Sequence, residues 1–285
     1  QKLVRTGFGS NHVDHCTRLC HASSVAALME CIGSGSVTAS FMQASQADVV
    51  ILTGCNPAVN HPVAATFFKQ AAKRGTKIVI IDPRGQALDA YAHLSVRFSP
   101  GADVALFNAI LNVIITEELY DTAYIAEHTE GFEALKMHTV DMTPEAMSGL
   151  CGVEPDTIRE VARLYATAER AMIFWGMGIS QHTHGTDNAR CLISLALACG
   201  QTGRPGTGLH PLRGQNNVQG ASDAGLIPMV MPDYQPVSDA QVRAAFEELW
   251  NTKLDPTPGL TVVEIMDAIT AGTIRGMYIQ GENPA

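Results

Sequence analysis

The chain has 285 residues, 46% of them hydrophobic and only 16% charged, which is enough apolar material for one large or two ordinary domains and excludes a disordered or collagen-like chain. Its 19 basic and 28 acidic residues leave a net charge of −9, and no Lys/Arg-rich run is present to displace counterions from a phosphate backbone, so nucleic acid is excluded as a partner. The longest apolar stretch, 105–115, is interrupted by Asn108 and Asn112 and falls short of the roughly 20 residues a bilayer demands, so no membrane span is expected.

In chain order, residues 20–32 carry a helical apolar pattern (Val25, Ala26, Leu28, Met29, Ile32) that Gly33 and Gly35 can stop. Residues 48–53 form an apolar run of strand length ending in Gly54-Cys55-Asn56-Pro57, and a helix is expected over 63–73. Residues 77–81 repeat the strand pattern and end at Asp82-Pro83-Arg84-Gly85, while 94–98 give a shorter strand ending at Pro100-Gly101-Ala102-Asp103. Helices are expected at 103–117, 120–127, 143–149 and 154–168, a fourth strand at 171–175 before Gly176-Met177-Gly178, and a helix at 186–199. Short buried strands alternating with helices predict an α/β fold, a doubly wound, mostly parallel, Rossmann-like sheet with its ligand site beyond the carboxyl ends of the strands.

After Gly200 the sequence becomes rich in Gly and Pro, so a boundary is expected there: an α/β domain over 1–200 and part of a second α/β domain over 201–285, with helices at 239–250 and 261–271 and a strand at 275–280. No repeats or heptads are evident. Seven cysteines, an odd number spread over a long chain, predict free thiols and a cytoplasmic location rather than a disulfide framework. The start at Gln1 and the stop just after an apolar run read as an excised piece.

No G-x-x-x-x-G-K-[ST] occurs, and no G-x-G-x-x-G opens a helix after a strand, which sets simple kinase, NTPase and NAD-dehydrogenase readings aside. The strand-end turns instead carry Asn56, Asp82, Arg84 and Asp103, groups suited to hydrogen-bonding a nucleotide. Cys16-Thr17-Arg18-Leu19-Cys20-His21 is the densest reactive cluster, and the absence of a second Cys/His pair disfavours zinc. Cys20, ahead of a helix and beside a histidine, reads either as a thiolate for a nucleophile or soft metal or as a buried, inert thiol.

The ordered set Cys16-Thr17-Arg18-Leu19-Cys20-His21-Ala22-Ser23-Ser24-Val25, Leu52-Thr53-Gly54-Cys55-Asn56-Pro57, Ile81-Asp82-Pro83-Arg84, Pro100-Gly101-Ala102-Asp103, Trp175-Gly176-Met177-Gly178 and Arg213-Gly214-Gln215-Asn216-Asn217-Val218-Gln219-Gly220, with Gly281-Glu282-Asn283-Pro284 as a weaker last match, resembles the molybdopterin oxidoreductase family. Within it the likeness is to the catalytic alpha subunits of formate dehydrogenases. The resemblance implies a molybdenum or tungsten centre held by two molybdopterin guanine dinucleotides, with Cys20 as the protein ligand of the metal and His21 as the catalytic histidine. It also matches Arg190 to the arginine that orients formate, gripping the carboxylate through two parallel hydrogen bonds. Gly54, Asn56, Asp82, Arg84, Asp103, Met177, Gln181 and Gln215 would bind the dinucleotides, with Arg84 and Arg213 as local cations and His61 against the pterin, whereas His182 and His184 are expected in a loop.

Relatives carry a [4Fe-4S] cluster motif N-terminal to this region and a C-terminal pterin-binding domain; neither is found here, so this stretch alone is expected to be inactive. The implied partners are formate and iron–sulfur and flavin subunits passing electrons to NAD. Two alternatives stay open: a nitrate reductase of the same family, against which His21 and Arg190 argue, and a cofactor-free structural electron-transfer subunit. A formylmethanofuran dehydrogenase, which shares the Cys-His pair, is a thinner third.

Overall fold

A computed structural model describes residues 1–283; Pro284, the last residue of the weakest motif match, lies outside the described residues. The chain divides into two compact units, one formed by Cys20–Gly214 and the other by Gln1–Leu19 with Gln215–Ala285.

The larger unit is built on five strands, β1 (Val49–Thr53), β2 (Lys77–Ile81), β3 (Leu94–Val96), β4 (Ala171–Trp175) and β5 (Gly208–Pro211). All pairings are parallel, in the order β3-β2-β1-β4-β5, with Val49 opposite both Lys77 and Ala171. The expected doubly wound sheet is therefore present, and the order reverses between β1 and β4. Its longer helices are α1 (Ala22–Ile32), α2 (Pro62–Lys73), α3 (Asp103–Thr116), α4 (Pro155–Ala166) and α5 (Gly185–Ala198).

The strands read as unbroken apolar runs because both faces are covered. Val49, Ile51, Val79, Ile81, Ile173 and Trp175 join one core with residues of α1, α3, α4 and α5. Val50, Leu52, Ile78, Ile80, Met172 and Phe174 join the other with Ala64, Ala65 and Phe68 of α2. The apolar run 105–115 is the buried body of α3, and its Asn112 is satisfied there, donating through Nδ2 to Thr139 O at 2.9 Å.

Three differences from the sequence expectations have physical causes. β5 lies in the stretch read as Gly/Pro punctuation; as an edge strand it tolerates Pro211, and Gly208 is needed where a Cβ would stand 2.8 Å from the Ala39 methyl. The division expected at residue 200 therefore falls at 214–215. Residues 274–280 carry no strand, and among the described residues the smaller unit has only isolated bridges, so the apolar run at 275–280 has no neighbour to pair with.

The smaller unit joins its two chain segments through polar side chains. Buried Arg5 donates to the carbonyls of Ile227 and Val230 at 2.8 Å each, and Asn11 Nδ2 to those of Asp255 and Thr257. Met231, Val237 and Leu254 form its core, beside the helices α6 (Ala240–Trp250) and α7 (Val262–Thr270).

Candidate functional site

The carboxyl ends of β1 and β4 are pinned backbone to backbone. Gly178 N donates to Gly54 O at 2.9 Å and Gly176 N to Thr53 O at 3.3 Å. Gly54 has φ +56°, and a Cβ on Gly176 or Gly178 would stand 2.7 Å from Gly54 backbone atoms, so no larger residue fits this contact. The half-pattern Gly176-Met177-Gly178 thus serves a backbone approach at the point where the strand order reverses.

A crevice of about 400 Å³ opens at this edge, and Gly54, Asn56, Asp82, Arg84, Asp103 and Met177 all line it. Burial pushes the Asp82 and Asp103 carboxyls up, opposed at Asp82 by the Arg84 backbone N–H, 2.8 Å from Oδ1, and at Asp103 by His182. Asn56 Oδ1, Gln86 Oε1, Asp103 Oδ2 and His61 Nδ1 are buried there without a hydrogen-bond partner. The three bare oxygens are costly unless a ligand supplies donors, and they fit an amino-substituted heterocycle rich in N–H groups. His182, expected in a loop, also lines the crevice, and Asn60 and Gln86 carried no sequence signal.

Cys20 and His21 lie immediately before α1, with His21 as its N-cap residue, and both are buried. The place a Cβ of Gly214 would occupy is 3.6 Å from both Cys20 Sγ and the Met177 methyl, which sets the thiol near Met177, although neither Cys20 nor His21 lines the crevice itself. His21 Nδ1 lies 2.9 Å from Ser180 Oγ; Ser180 Oγ is 2.6 Å from Ser24 Oγ, which accepts from Trp175 Nε1 at 2.8 Å. His21 Nε2 is buried with no partner. Burial first, then the neighbouring Arg213 and His61, push its pKa down to about 3. The ring is therefore neutral, and the cation near Cys20 is Arg213 rather than the neighbouring histidine. Arg213 is buried, lines the crevice and donates from Nη2 to Gly35 O at 2.8 Å; its backbone takes the left-handed φ of +64°.

Arg190 is not brought to this place. It lies on α5, its side chain 45% exposed, donating from Nε to Glu30 Oε2 at 3.0 Å and from Nη1 to Asp187 Oδ1 at 2.7 Å. Glu30 is near the far end of α1, about 12 Å along the axis from Ala22 at 1.5 Å per residue. In this paired, half-exposed setting Arg190 lies apart from the crevice, where the resemblance had expected a clamp beside Cys20 and His21. Gln181 is exposed and does not line the crevice, and Gln215 begins the second segment of the smaller unit. Arg213, read from sequence as a phosphate cation, is buried and lines the crevice where Arg190 does not; its motif signal was present, but only folding shows which of the two arginines is buried.

The sequence profile of the family described as molybdopterin oxidoreductase matches residues 1–285. Among curated proteins the chain is 44% identical over 284 residues to the F420-dependent formate dehydrogenase subunit alpha of Methanocaldococcus jannaschii, and 39% identical over 285 residues to formate dehydrogenase H of Escherichia coli. It covers 100% of its own length in both but only 42% and 40% of theirs. Among solved structures, acetylene hydratase from Pelobacter acetylenicus superimposes with a TM-score of 0.60 at 26% identity, over 65% of this chain and 25% of that one. The parallel sheet, the glycine contact at its reversal point and the match along the whole chain make this protein a member of the molybdopterin oxidoreductase family, to which a molybdopterin-type cofactor belongs.

Proposed function

We propose that the whole protein interconverts formate and carbon dioxide, and that this chain supplies one wall of its reactive centre. The observation that carries the reading is the grouping beside the crevice: the Cys20 thiol near Met177, the unpartnered Nε2 of neutral His21, and the buried cation Arg213 that acts on it and lines the crevice. When bound, a molybdenum or tungsten bis(molybdopterin guanine dinucleotide) would accept the two electrons that leave with the formate hydrogen. Cys20 would hold its metal through sulfur. Asn56, Gln86 and Asp103 would receive the N–H groups of its heterocycles, and the Gly54, Gly176 and Gly178 backbone would let it approach.

Arg213 then offers what a one-carbon carboxylate needs, a planar fork with a fixed charge in a dry place, held at Nη2 by the Gly35 carbonyl. The donor face of a neutral imidazole beside it suits the same anion. Electrons are proposed to leave through an iron–sulfur cluster outside this stretch and through partner subunits. For the acceptor, F420 is preferred to NAD, because relatives at 41–44% identity are named F420-dependent. Among the described residues no helix is long and apolar enough to cross a membrane; a cytoplasmic location is proposed on the seven free thiols.

The test uses the full-length protein with its partner subunits. Formate-dependent reduction of F420, NAD and a dye is measured for wild type, Arg213→Ala and Arg190→Ala, alongside metal content. Arg213→Ala should lose more than about 100-fold in kcat/KM with metal retained, whereas Arg190→Ala should stay within about twofold. The reverse ranking, or a wild type that carries the metal but does not turn over formate, overturns the reading.

A further inference from the structure

Three side chains behind His21 impose a direction on its hydrogen bonds. Trp175 Nε1 is a donor only, so Ser24 Oγ must accept from it at 2.8 Å. The Ser24 proton is then left for its other neighbour, Ser180 Oγ, at 2.6 Å. Ser180, receiving from Ser24, has its own proton to place, and His21 Nδ1 at 2.9 Å is a far better acceptor than Gly176 O at 3.5 Å. An imidazole that accepts at Nδ1 carries its proton on Nε2, the nitrogen that has no partner within the chain.

We propose that Trp175, Ser24 and Ser180 form a one-way hydrogen-bond chain that fixes His21 as its Nε2–H tautomer, so that the histidine meets a bound anion as a hydrogen-bond donor. The inference rests on the Cys20–His21 corner being the reactive centre, although the tautomer itself does not. All four groups are fully or almost fully buried, Trp175, His21 and Ser24 at 0% exposure and Ser180 at 5%, so no bulk water competes for these protons. The ring is further held because Ser23 Oγ donates to Ser180 O at 2.7 Å, tying α1 to the turn that carries Ser180. Ser24, Ser180 and Trp175 are positioning residues: they act on the substrate only through His21. An Nε2–H ring cannot take a proton from formate at that atom, so the chain favours a carboxylate oxygen over a proton donor as its partner.

The experiment is 15N NMR of the full-length protein labelled at histidine, with the His21 signals assigned by their loss in His21→Gln. Wild type should show a protonated, pyrrole-type Nε2 and a bare, pyridine-type Nδ1. Ser180→Ala should bring the Nδ1–H form up to a comparable population, Ser24→Ala should do so partly, and Ser180→Thr, which keeps the hydroxyl, should restore the wild-type pattern. A wild-type proton on Nδ1, or nitrogen shifts that Ser180→Ala and Ser24→Ala leave unmoved, would overturn the proposal. Kinetics separate this from the functional reading: an Nε2–H ring in a protein that fails to oxidise formate sinks the function and leaves the tautomer standing.

Discussion

At the amino edge of the sheet, Asp48 accepts from the Arg170 backbone N–H at 3.1 Å and pairs with its guanidinium, and Thr76 Oγ1 donates to Ala47 O at 2.8 Å. At the carboxyl edge, Asn56, Gln86 and Asp103 each keep a buried oxygen that the chain does not satisfy. The hollow at the amino edge is the larger, about 740 Å³ against about 400 Å³, so volume does not distinguish them. What distinguishes them is hydrogen-bond debt: an unmet buried acceptor costs about 1–3 kcal/mol, and several together persist where a ligand meets them.

Substitutions can break or sharpen this contrast. The largest effect is expected for Cys20→Ser in the full-length protein. Altering a neighbour of a metal ligand commonly costs about 10–100-fold, so replacing the ligand should carry formate-dependent dye reduction beyond that range and take the metal with it. Retained metal and turnover would remove the carboxyl edge from the chemistry. Gly178→Ala comes next: its methyl would stand 2.7 Å from Gly54 Cα, and overpacking of that kind should lower stability by about 3 kcal/mol, a fall of roughly 10 °C in the melting temperature.

His210 tests burial by pH. Its ring is held by Ala39 O at 2.7 Å from Nδ1, and burial pushes its pKa down to about 4. Above about 6.5 the ring is neutral whether folded or unfolded, so no stability is lost there. Below that the unfolded chain takes up a proton the fold refuses, and stability should drop by as much as about 3 kcal/mol as pH falls to about 4. Chemical denaturation of wild type and His210→Gln across this window should show a flatter profile for the variant. The smallest effect is expected for Asp48→Asn, within about 1 kcal/mol in urea melts, shrinking as salt is added and leaving cofactor content unchanged.

The sheet was legible because each central strand is covered on both faces and so reads as a run of apolar residues between turn signals. Residues 77–81 and 171–175 match β2 and β4 to the residue. β5 was not, since an edge strand can be written in Gly and Pro, and the apolar run at 275–280 misled because strand propensity does not supply a partner. In the site, residues tied to strand ends were legible from the turns, as with Asn56, Asp82 and Asp103. Side chains that meet only through tertiary packing were not: Ser24 and Ser180 are 156 positions apart, and nothing local marks Arg190 as salt-bridged outside and Arg213 as buried inside.

The place a Cβ of Gly214, the last residue of the larger unit, would take lies 3.6 Å from the sulfur of Cys20, its first residue. A stretch of chain whose first and last residues meet can be circularly permuted: a short linker from 214 to 20, with new termini cut at the exposed turn around Gly75, leaves every strand neighbour in place. The order in which ribosomes deliver these strands is then separable from the architecture they reach.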